Sequence, residues 1–507
     1  MICVCIGRGR HRHVIAEHKF LADNGIGLVE LRLDYIQGDV DVRLLLRDRP
    51  CPAIVTCRRD ADGGRWQGTE EARLRLLRQA IAEGADYVDL EADIAAKVPR
   101  YGSTKRIISH HDYERTPAEL GDLHRRLATL DADIVKIATL ANHPVDNLRM
   151  LDLIRHSRLP TVGICMGEFG VPSRILGVSA GAPFTLALVS EERVLAPGQM
   201  GWRRMRDLYR VEAIRPGTRI YGVVADPVAH SLSPLLHNVA IATAGLDAVY
   251  IPFRATAEQL DSFLASANRW PLAGLSVTIP HKETVLEHCA RQDGLVREIG
   301  AANTLAFNAE GCIAFNTDAS AAIEALRVAV MEGELPEPPR EDLIREQMSR
   351  SIRTALVLGA GGAARAVAFG LRQQGIEVTV CGRTAERARA IAADVGCRAV
   401  EWAARHRMPH DCIVNATPVG MHPNVDETPY DKEHLRPYMI VFDTVYNPEN
   451  TLFIKEARAV GCRTVTGVEM FVRQAAQQFR IWHGVDPTRD VMRDALKQAT
   501  ASAKPVT

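Results

Sequence analysis

The sequence predicts an α/β protein in which a (β/α)8 barrel precedes two further domains built from βα units. Its 507 residues are enough for about three domains of roughly 150 residues each. Short apolar runs alternate with helical stretches up to about residue 190, and a second series of βα units begins near residue 220. A glycine-rich turn directly follows the strand-like run Thr354–Leu358.

Eight apolar runs of strand length predict the barrel. They are Ile2–Ile6, Gly27–Leu33, Ala53–Cys57, Tyr87–Leu90, Arg106–Ser109, Ile134–Ala138, Thr161–Cys165 and Phe184–Val189. Periodicity alone does not exclude an open parallel sheet. The count of eight favours closure, and we expect the barrel domain to span residues 1–214.

Composition changes mark the remaining boundaries. A Pro-Gly step at Pro216 precedes the strand Ile220–Val224, so a second domain begins there. We expect it to span 217–325 and to be completed by 483–507, while a third domain spans 351–482. Residues 332–350 are charged and carry three prolines, which is typical of an insertion or linker.

Charge and cysteine usage narrow the functional classes. Acidic and basic residues balance at 62 each, which gives no electrostatic case for nucleic acid or an acidic membrane surface. The 11 cysteines are scattered, so reduced thiols and a cytoplasmic location are expected. We expect neither a signal peptide nor a membrane span. The oligomeric state is not specified, and a monomer is compatible with the sequence.

Lys136 lies in the middle of an apolar strand. Period-2 alternation places Val135 and Ile137 on the opposite face, so Lys136 should face the barrel interior. Burial favours the neutral amine, which can attack a carbonyl carbon to form a Schiff base. A lysine paired with a carboxylate is the alternative.

Polar side chains at other strand ends supply a context for this lysine. Glu30, Arg32 and Asp34 alternate with leucines, Arg58 ends a strand, and His111 follows another. Barrel enzymes build their active sites at such ends, although each side chain alone is more often an ion pair or a satisfied histidine. Together these residues predict a pocket.

This first region resembles the type I 3-dehydroquinate dehydratases over about residues 1–205. The motifs that carry the resemblance are Glu30-Leu-Arg32-Leu-Asp34, Cys57-Arg58 before Gly63-Gly64, Ser109-His-His111-Asp-Tyr, Lys136, Ser173-Arg174 and Ala196-Pro-Gly-Gln199. The resemblance implies that Lys136 forms an imine with the substrate ketone and that His111 shuttles protons.

The same resemblance implies the substrate contacts. Arg174 and Gln199 would hold the substrate carboxylate and nearby hydroxyls, and the remaining hydroxyls would be fixed by Glu30, Arg32 and Arg58.

Two residues depart from the family pattern. Asp62 stands where a glutamate usually orients the histidine, so a longer or water-bridged contact with His111 is expected. Leu195 replaces a hydroxyl residue on the expected lid, which predicts weaker lid contacts.

A second set of motifs follows apolar runs between residues 221 and 318. It comprises Ser231-Leu-Ser233-Pro, Ser276-Val-Thr278-Ile-Pro-His-Lys282, Ala302-Asn303-Thr304 and Asn316-Thr317-Asp318. Alone, the first would be a helix cap and Lys282 a surface residue. The combination resembles the shikimate dehydrogenases from about Ile220 to Asp486.

That resemblance implies a pocket for a polyhydroxylated acid. Ser231 and Ser233 would bind the carboxylate of shikimate, and the ring hydroxyls would be surrounded by Thr278, Asn303, Asp318, Tyr446 and Gln474. Lys282 and Asp318 would handle the proton at the carbonyl or alcohol oxygen during hydride transfer.

The glycine-rich turn indicates a dinucleotide site of the Rossmann type. Its residues Gly359, Ala360, Gly361, Gly362 and Ala363 join a strand to a helix start, where backbone can approach a pyrophosphate. The next strand, Val378–Cys381, leads to Arg383 and Thr384 instead of an acidic residue. Arg383, with help from Arg387 or Arg389, suits a 2′-phosphate, which favours NADP over NAD.

Alternatives remain at the cofactor motifs. Thr384 could be a helix cap beside solvated arginines, and Gly382 departs from the asparagine common in the family. Thr417 belongs to a further family motif. Gly467 and Met470 are predicted to line the nicotinamide region, although a backbone turn and a core methionine are the plain alternatives.

The sequence therefore predicts a two-step enzyme. It would dehydrate 3-dehydroquinate to 3-dehydroshikimate through a Lys136 imine and then reduce 3-dehydroshikimate to shikimate with NADPH. One alternative is a metabolite-sensing regulatory pseudoenzyme, and another is a catabolic NAD-dependent quinate or shikimate dehydrogenase. No metal is predicted, because the histidines at 11, 13, 110 and 111 lack accompanying ligands at metal spacing.

Overall fold

The computed structural model describes residues 1–331, 346–348 and 350–502. The chain divides into two compact units. The first contains 1–222, 226–231 and 247–271, and the second contains 223–225, 232–246 and the residues from 272 onward. Of the predicted linker, residues 332–345 and 349 lie outside the described residues, as do 503–507 of the predicted carboxyl-terminal segment.

The amino-terminal sheet is a near-closed barrel of eight parallel strands, as predicted. The strands are β1 (Ile2–Ile6), β2 (Val29–Arg32), β3 (Ala53–Thr56), β4 (Tyr87–Glu91), β5 (Lys105–Asp112), β6 (Ile134–Leu140), β7 (Thr161–Met166) and β8 (Thr185–Leu188). Their order is β7-β6-β5-β4-β3-β2-β1-β8. The intervening α-helices are α1 (His11–Asp23), α2 (Val42–Leu46), α3 (Glu70–Ala82), α4 (Leu120–Ala128), α5 (Asp146–His156) and α6 (Val171–Leu176).

Strand register decides which polar side chains of the barrel lie side by side. Glu91 is opposite Ser109, and Ser109 is opposite Lys136. Because side chains alternate between the two faces of a strand, residues paired in this way share a face. Strand ends β4 to β6 therefore bring a carboxylate, a hydroxyl and an amine together.

The second sheet has six strands in the order β10-β9-β11-β13-β14-β12. They are β9 (Arg219–Ala225), β10 (Ala248–Arg254), β11 (Leu272–Val277), β12 (Arg291–Gln292), β13 (Thr304–Asn308) and β14 (Gly311–Phe315). The associated helices are α7 (Ser233–Thr243), α8 (Leu260–Ala265), α9 (Gly294–Ile299) and α10 (Asp318–Val330). β13 and β14 form an antiparallel hairpin that leads directly into α10.

The third sheet is fully parallel and has the doubly wound order expected of a Rossmann domain. Its order is β17-β16-β15-β18-β19-β20. The strands are β15 (Thr354–Leu358), β16 (Glu377–Gly382), β17 (Arg398–Glu401), β18 (Cys412–Asn415), β19 (Ile440–Asp443) and β20 (Arg463–Val465). The later helices are α11 (Gly362–Gln373), α12 (Ala385–Val395), α13 (Leu452–Val460), α14 (Gly467–His483) and α15 (Arg489–Ser502).

Helix α14 returns to the second sheet. Gln478 donates to the Asn303 carbonyl oxygen at 3.0 Å, and the Trp482 indole donates to the Leu305 carbonyl oxygen at 2.9 Å. Both bonds are buried, so they fix α14 against β13. Within the described part of the chain, no helix combines the length and apolar character that crossing a membrane requires.

Candidate active sites

The barrel encloses a small cavity of about 40 Å³. Every residue that the sequence assigned to the dehydratase site lines it: Glu30, Arg32, Arg58, Asp62, His111, Lys136, Arg174 and Gln199. These side chains come from β2, β5 and β6, from the loop after β3, from α6 and from the segment after β8. Their convergence at the carboxyl ends of the strands matches the usual position of barrel active sites.

Lys136 is buried and held by two carboxylates. Its Nζ atom donates to Asp89 Oδ2 at 2.9 Å and to Glu30 Oε1 at 3.4 Å. Desolvation lowers the pKa of Lys136, but Asp89 and Glu30 outweigh it, so the pKa is raised. The expectation that burial leaves a neutral amine is therefore wrong, because the barrel supplies counter-charges that stabilise the ammonium.

Asp89 is the functional residue that the sequence reasoning missed. Its carboxylate also accepts from Arg58 at 2.8 Å and from Ser109 Oγ at 2.6 Å. Although burial opposes ionisation, Arg58 and Lys136 hold the pKa of Asp89 well below its ordinary value. The signal was present in the alternation Asp89-Leu-Glu91 at the end of β4, which resembles the pattern at β2.

Two guanidinium groups in the cavity are already paired. Arg58 also donates to Glu91 at 2.8 Å, and Arg32 forms a bidentate pair with Asp34 at 2.7 and 2.9 Å. Such bidentate pairs fix the direction of the guanidinium plane. The remaining N–H groups are consequently presented in fixed orientations.

Arg174 differs because it has no carboxylate partner among the described residues. It is 1 % exposed, one terminal nitrogen donates to the Pro197 carbonyl oxygen at 2.9 Å, and Nε has no hydrogen bond. Burial lowers its pKa to about 10. A buried cation without a counter-ion is costly, so Arg174 is a ready receptor for an anionic ligand.

His111 is half-buried and lines the cavity. Desolvation, with Arg58 and Lys136 nearby, puts its pKa well below the ordinary value, and its Nδ1 atom has no hydrogen bond. The Asp62 carboxylate also lines the cavity, and its Oδ2 atom accepts from Arg59 Nε at 2.7 Å. The described residues show no direct hydrogen bond between Asp62 and His111, and the expected longer or water-bridged contact stays a prediction.

The segment after β8 covers the cavity with Leu195 and Gln199. Gln199 Oε1 accepts from the Ala196 backbone N–H at 3.0 Å, which leaves its amide N–H₂ turned toward Cys5 Sγ, 4.0 Å away. Leu195 adds an apolar surface where the family carries a hydroxyl.

The second candidate site centres on an ion pair between Lys282 and Asp318. Lys282 Nζ lies 2.5 Å from Asp318 Oδ2, and Asn303 Nδ2 donates to Asp318 Oδ1 at 2.9 Å. Asp318 is the first residue of α10, where the helix dipole favours a carboxylate. Both oxygens of Asp318 are therefore held, and a proton has a short path between the two side chains.

Other predicted substrate residues surround this pair in different degrees. Asn303 Nδ2 also lies 3.4 Å from Gln474 Oε1. Burial raises the pKa of Tyr446 to about 12, and its ring stacks on Phe471 with centroids 4.0 Å apart. Ser233 is the buried first residue of α7, and Ser231 lies in the turn before it.

A cavity of about 530 Å³ opens beside Lys282. The predicted residues that line it are Thr278, Lys282, Gly359, Ala360, Gly361, Gly362, Ala363, Arg383, Thr384, Thr417 and Tyr446. Gly359 has φ +127°, and a Cβ atom there would lie 2.7 Å from the Ala416 carbonyl oxygen. The turn therefore needs glycine, and α11 begins with free N–H groups toward the cavity, as a pyrophosphate requires.

Arg383 provides a free cation at the cavity. It is exposed and has no hydrogen bond or ion pair to any described residue, while Arg387 lies 3.3 Å from Glu283 and Arg389 binds its own helix. Thr384 precedes α12 without a side-chain cap bond. Packing explains why glycine stands at position 382, where the family commonly has asparagine. A Cβ atom there would lie 2.8 Å from Ala360 Cβ.

Thr417 is positioned by a buried polar network. Its hydroxyl donates to Asn415 Oδ1 at 2.6 Å, and Asn415 Nδ2 donates to Asp443 at 2.9 Å. Desolvation raises the pKa of Asp443 to about 6. This network holds the loop after β18 against the cavity.

Gly467 and Met470 do not line the cavity. Met470 is 6 % exposed and packs in the apolar core around β15 and α11. A Cβ atom at Gly467 would lie 2.2 Å from the Val445 carbonyl oxygen. In the structure Met470 packs in the core and Gly467 lets two backbone segments approach closely, and the predicted place of both residues in the nicotinamide region stays a prediction.

Comparison with known protein families accounts for most of the chain. Residues 2–216 match type I 3-dehydroquinase. Residues 223–305 match the shikimate dehydrogenase substrate binding domain, 342–418 match shikimate/quinate 5-dehydrogenase, and 467–497 match the shikimate 5′-dehydrogenase C-terminal domain. The first match covers the barrel, the second covers most of the second sheet, the third includes the glycine-rich turn, and the fourth covers α14.

Individual relatives agree with this division. The chain is 36% identical to the chloroplastic bifunctional 3-dehydroquinate dehydratase/shikimate dehydrogenase of Arabidopsis thaliana, over 97% of this chain and 83% of the relative. It is 36% identical to the NADP(+) shikimate dehydrogenase of Methanosarcina barkeri, over 55% of this chain and 98% of the relative. A crystal structure of a shikimate dehydrogenase in complex with NADP+ aligns with a TM-score of 0.51 at 33% identity, covering 57% of this chain and 97% of that one.

Proposed function

The chain belongs to the family of bifunctional 3-dehydroquinate dehydratases/shikimate dehydrogenases, and we propose which of its residues carry each step. As a member it dehydrates 3-dehydroquinate to 3-dehydroshikimate and reduces that product to shikimate with NADPH. The observation that carries the residue assignment is the pair of lysine–carboxylate contacts, one in each cavity.

In the barrel, we assign the covalent step to Lys136. Its ammonium must lose a proton before the amine can attack the substrate ketone, and we assign the acceptor role to His111, which lines the same cavity. Attack followed by loss of water gives an imine, which acidifies the adjacent C–H bond. Removal of that proton expels a hydroxyl as water, and hydrolysis of the imine returns the lysine.

We propose that Arg174 sets the orientation of the substrate in the barrel. Arg174 would take the substrate carboxylate, because its guanidinium is buried in this cavity and, among residues 1–331, 346–348 and 350–502, has no carboxylate partner. Gln199 lies on the segment whose Pro197 carbonyl already binds Arg174. Glu30, Arg32 and Arg58 would fix ring hydroxyls with donors and acceptors that their own partners hold in place.

In the second cavity, we assign proton transfer to Lys282 and Asp318. When NADPH is bound it supplies the hydride to the carbonyl carbon. Lys282 would deliver a proton to the carbonyl oxygen, and Asp318, 2.5 Å away, would stabilise the ammonium and accept a proton in the reverse direction. Ser231, Ser233, Thr278, Asn303, Tyr446 and Gln474 would bind the carboxylate and hydroxyls of the substrate.

The described residues fit NADP. The glycine turn and the start of α11 would hold the pyrophosphate, and Arg383 with Thr384 would hold the 2′-phosphate. Arg383 is exposed and has no carboxylate partner in the described part of the chain, so it is free for that role. Thr417 would contact the cofactor from the loop after β18.

The two alternatives gain no support from the relatives. A regulatory pseudoenzyme would have lost its reactive groups, but Lys136, His111, Lys282 and Asp318 are all present. A catabolic NAD enzyme would carry an acidic side chain where Arg383 stands.

One experiment tests the assignment of the barrel site. The protein is incubated with 3-dehydroquinate and sodium borohydride, digested, and mapped by mass spectrometry. We expect a reduced adduct on Lys136 and loss of dehydratase activity with retention of 3-dehydroshikimate reduction. An adduct on another residue would refute the assignment of Lys136.

The domain division and the cellular location also stay proposals. We propose domains that span 1–214, 217–325 together with 483–507, and 351–482. Most of helix α14 falls in the last of these ranges, and it contacts the second sheet through Gln478 and Trp482. We propose a cytoplasmic location on the basis of eleven free cysteines. The oligomeric state is not assigned, and a monomer is compatible with the sequence. Sedimentation velocity of the full chain measures the oligomeric state.

A further inference from the structure

Two cysteines outside both proposed sites contact each other. Cys289 Sγ lies 3.5 Å from Cys312 Sγ, and both side chains are partly exposed. Cys289 follows the short helical turn Thr284–His288, and Cys312 is the second residue of β14. The parallel pairing of β12 with β14 holds the two segments side by side, with Arg291 opposite Ile313.

Electrostatics favour Cys289 as the nucleophile of the pair. The hydrogen bond from Cys312 lowers the pKa of Cys289, whereas the pKa values of the other ten are raised, mostly by burial. The thiolate is the nucleophilic form, so Cys289 is the expected site of attack on an oxidant. When neutral, its thiol donates to the Val285 carbonyl oxygen at 3.3 Å.

The pair lies between the two segments that carry the reductase ion pair. Lys282 precedes Cys289 by one short helical turn, and β14, which contains Cys312, ends at Phe315, three residues before the start of α10 at Asp318. A disulfide needs an S–S distance of about 2.05 Å, so the 3.5 Å separation must close. Because misplacement by about 1 Å can slow a reaction roughly 100-fold, a bond here would disturb the contact between Lys282 and Asp318.

We propose that Cys289 and Cys312 are a reversible oxidation site, which a hydroperoxide converts to a disulfide that slows the reductase and spares the dehydratase. The Cys289 thiolate attacks the terminal oxygen of the hydroperoxide, the O–O bond breaks, and the leaving alkoxide takes a proton to become an alcohol. Cys312 then attacks the sulfur of the sulfenic acid, the S–S bond forms, and the hydroxyl leaves with the Cys312 proton as water. Two thiols and one hydroperoxide thus give a disulfide, an alcohol and water.

This inference rests on the proposed roles of Lys282 and Asp318, so the reduced enzyme is assayed first. Absence of 3-dehydroshikimate reduction before oxidation would count against the proposed function and not against the cysteine pair. The full chain is then treated with hydrogen peroxide, both activities are measured, and peptides are mapped without reduction. Dithiothreitol is added last.

We expect a Cys289–Cys312 cross-linked peptide, a fall of at least about three-fold in reductase kcat/KM, unchanged dehydration, and recovery with dithiothreitol. C289S and C312S should each abolish the cross-link and the inhibition, and C397S, which removes another partly exposed thiol, should behave as wild type. Absence of the cross-link in wild type, or a cross-link without loss of reductase activity, would overturn the proposal. Equal inhibition in C289S would overturn it as well.

Discussion

The two cavities hold their lysines in different ways. In the barrel, Lys136 is enclosed with Asp89, Glu30, Arg58 and Glu91 in a buried network whose members are all paired. In the second unit, Lys282 has one carboxylate partner and lies at the edge of a much larger cavity. The difference suits the chemistry, because a covalent step needs a fixed nucleophile in a small pocket, whereas hydride transfer needs room for a dinucleotide.

The largest effect should come from removing either lysine, and it should separate the sites. K136M removes the nucleophile, so dehydration should fall at least about 10⁴-fold while reduction stays near wild type. K282M should lower reduction about 10²- to 10⁴-fold and leave dehydration intact. Separate assays of each substrate check this. Loss of both activities in either variant would contradict independent sites.

The buried network of the barrel should make Asp89 important for stability. D89N leaves Arg58 and Lys136 short of a counter-charge, and breaking a buried pair typically costs about 3–5 kcal/mol. The unfolding free energy in urea measures this cost. D48N, which removes a carboxylate that is 82% exposed and pairs with Arg47, is the matched control and should cost less than about 1 kcal/mol. Equal costs would show that the network is not a coupled unit.

Acid should affect the barrel through Glu30. Burial raises the pKa of Glu30, but Lys136 and Arg32 lower it to about 2. A carboxylate with a lowered folded-state pKa contributes stability above its unfolded pKa of about 4.3 and loses it as the pH falls toward 2. The stability difference between wild type and E30Q should therefore shrink by up to about 3 kcal/mol between pH 6 and pH 2.

Urea unfolding at several pH values measures this difference. E83Q, at an exposed position after α3, is the control and should show no comparable change. A wild-type to E30Q difference that is constant with pH would mean that Glu30 does not titrate with its lysine partner.

The barrel and the cofactor turn could be predicted because local patterns specify them. Eight apolar runs gave the strands, Lys136 stood out by alternation within one strand, and Gly359 is required by its own φ angle. The charge state of Lys136 could not be predicted, because Asp89 and Glu30 reach it from other strands only in the folded register.

Side-chain partners are harder to predict for the same reason. The sequence did not indicate that Arg59, three residues earlier in the chain, pairs with Asp62. Met470 was assigned to the cofactor region from its motif, and in the structure its side chain packs in the core. Motifs locate a segment, whereas the direction of a side chain depends on which neighbours compete for it.

Cofactor preference should depend on Arg383 in the open cavity. R383A removes the cation available for a 2′-phosphate, so the KM for NADPH should rise roughly 10- to 100-fold, since a charge-assisted hydrogen bond contributes about 1.5–3 kcal/mol. The KM for NADH should not change. R389A is the control, because Arg389 binds Ala385 and Glu386 of its own helix. An equal rise in the KM for NADPH and for NADH would show that Arg383 does not bind the 2′-phosphate.

The smallest effect is expected at Asp62. The Asp62 carboxylate pairs with Arg59, and His111 Nδ1 has no hydrogen bond to a described residue. D62E restores the longer side chain typical of the family. It should change dehydratase kcat by less than about three-fold, because burial keeps His111 neutral without a partner. Steady-state kinetics and the pH profile of kcat measure this. R59A is the informative second variant, since it frees Asp62. A gain of about ten-fold in D62E, or a new basic limb in the pH profile of R59A, would show that the orientation of His111 limits dehydration. The contrast between the two cavities would then hold for their lysines only, because the barrel histidine would lack a partner that it needs.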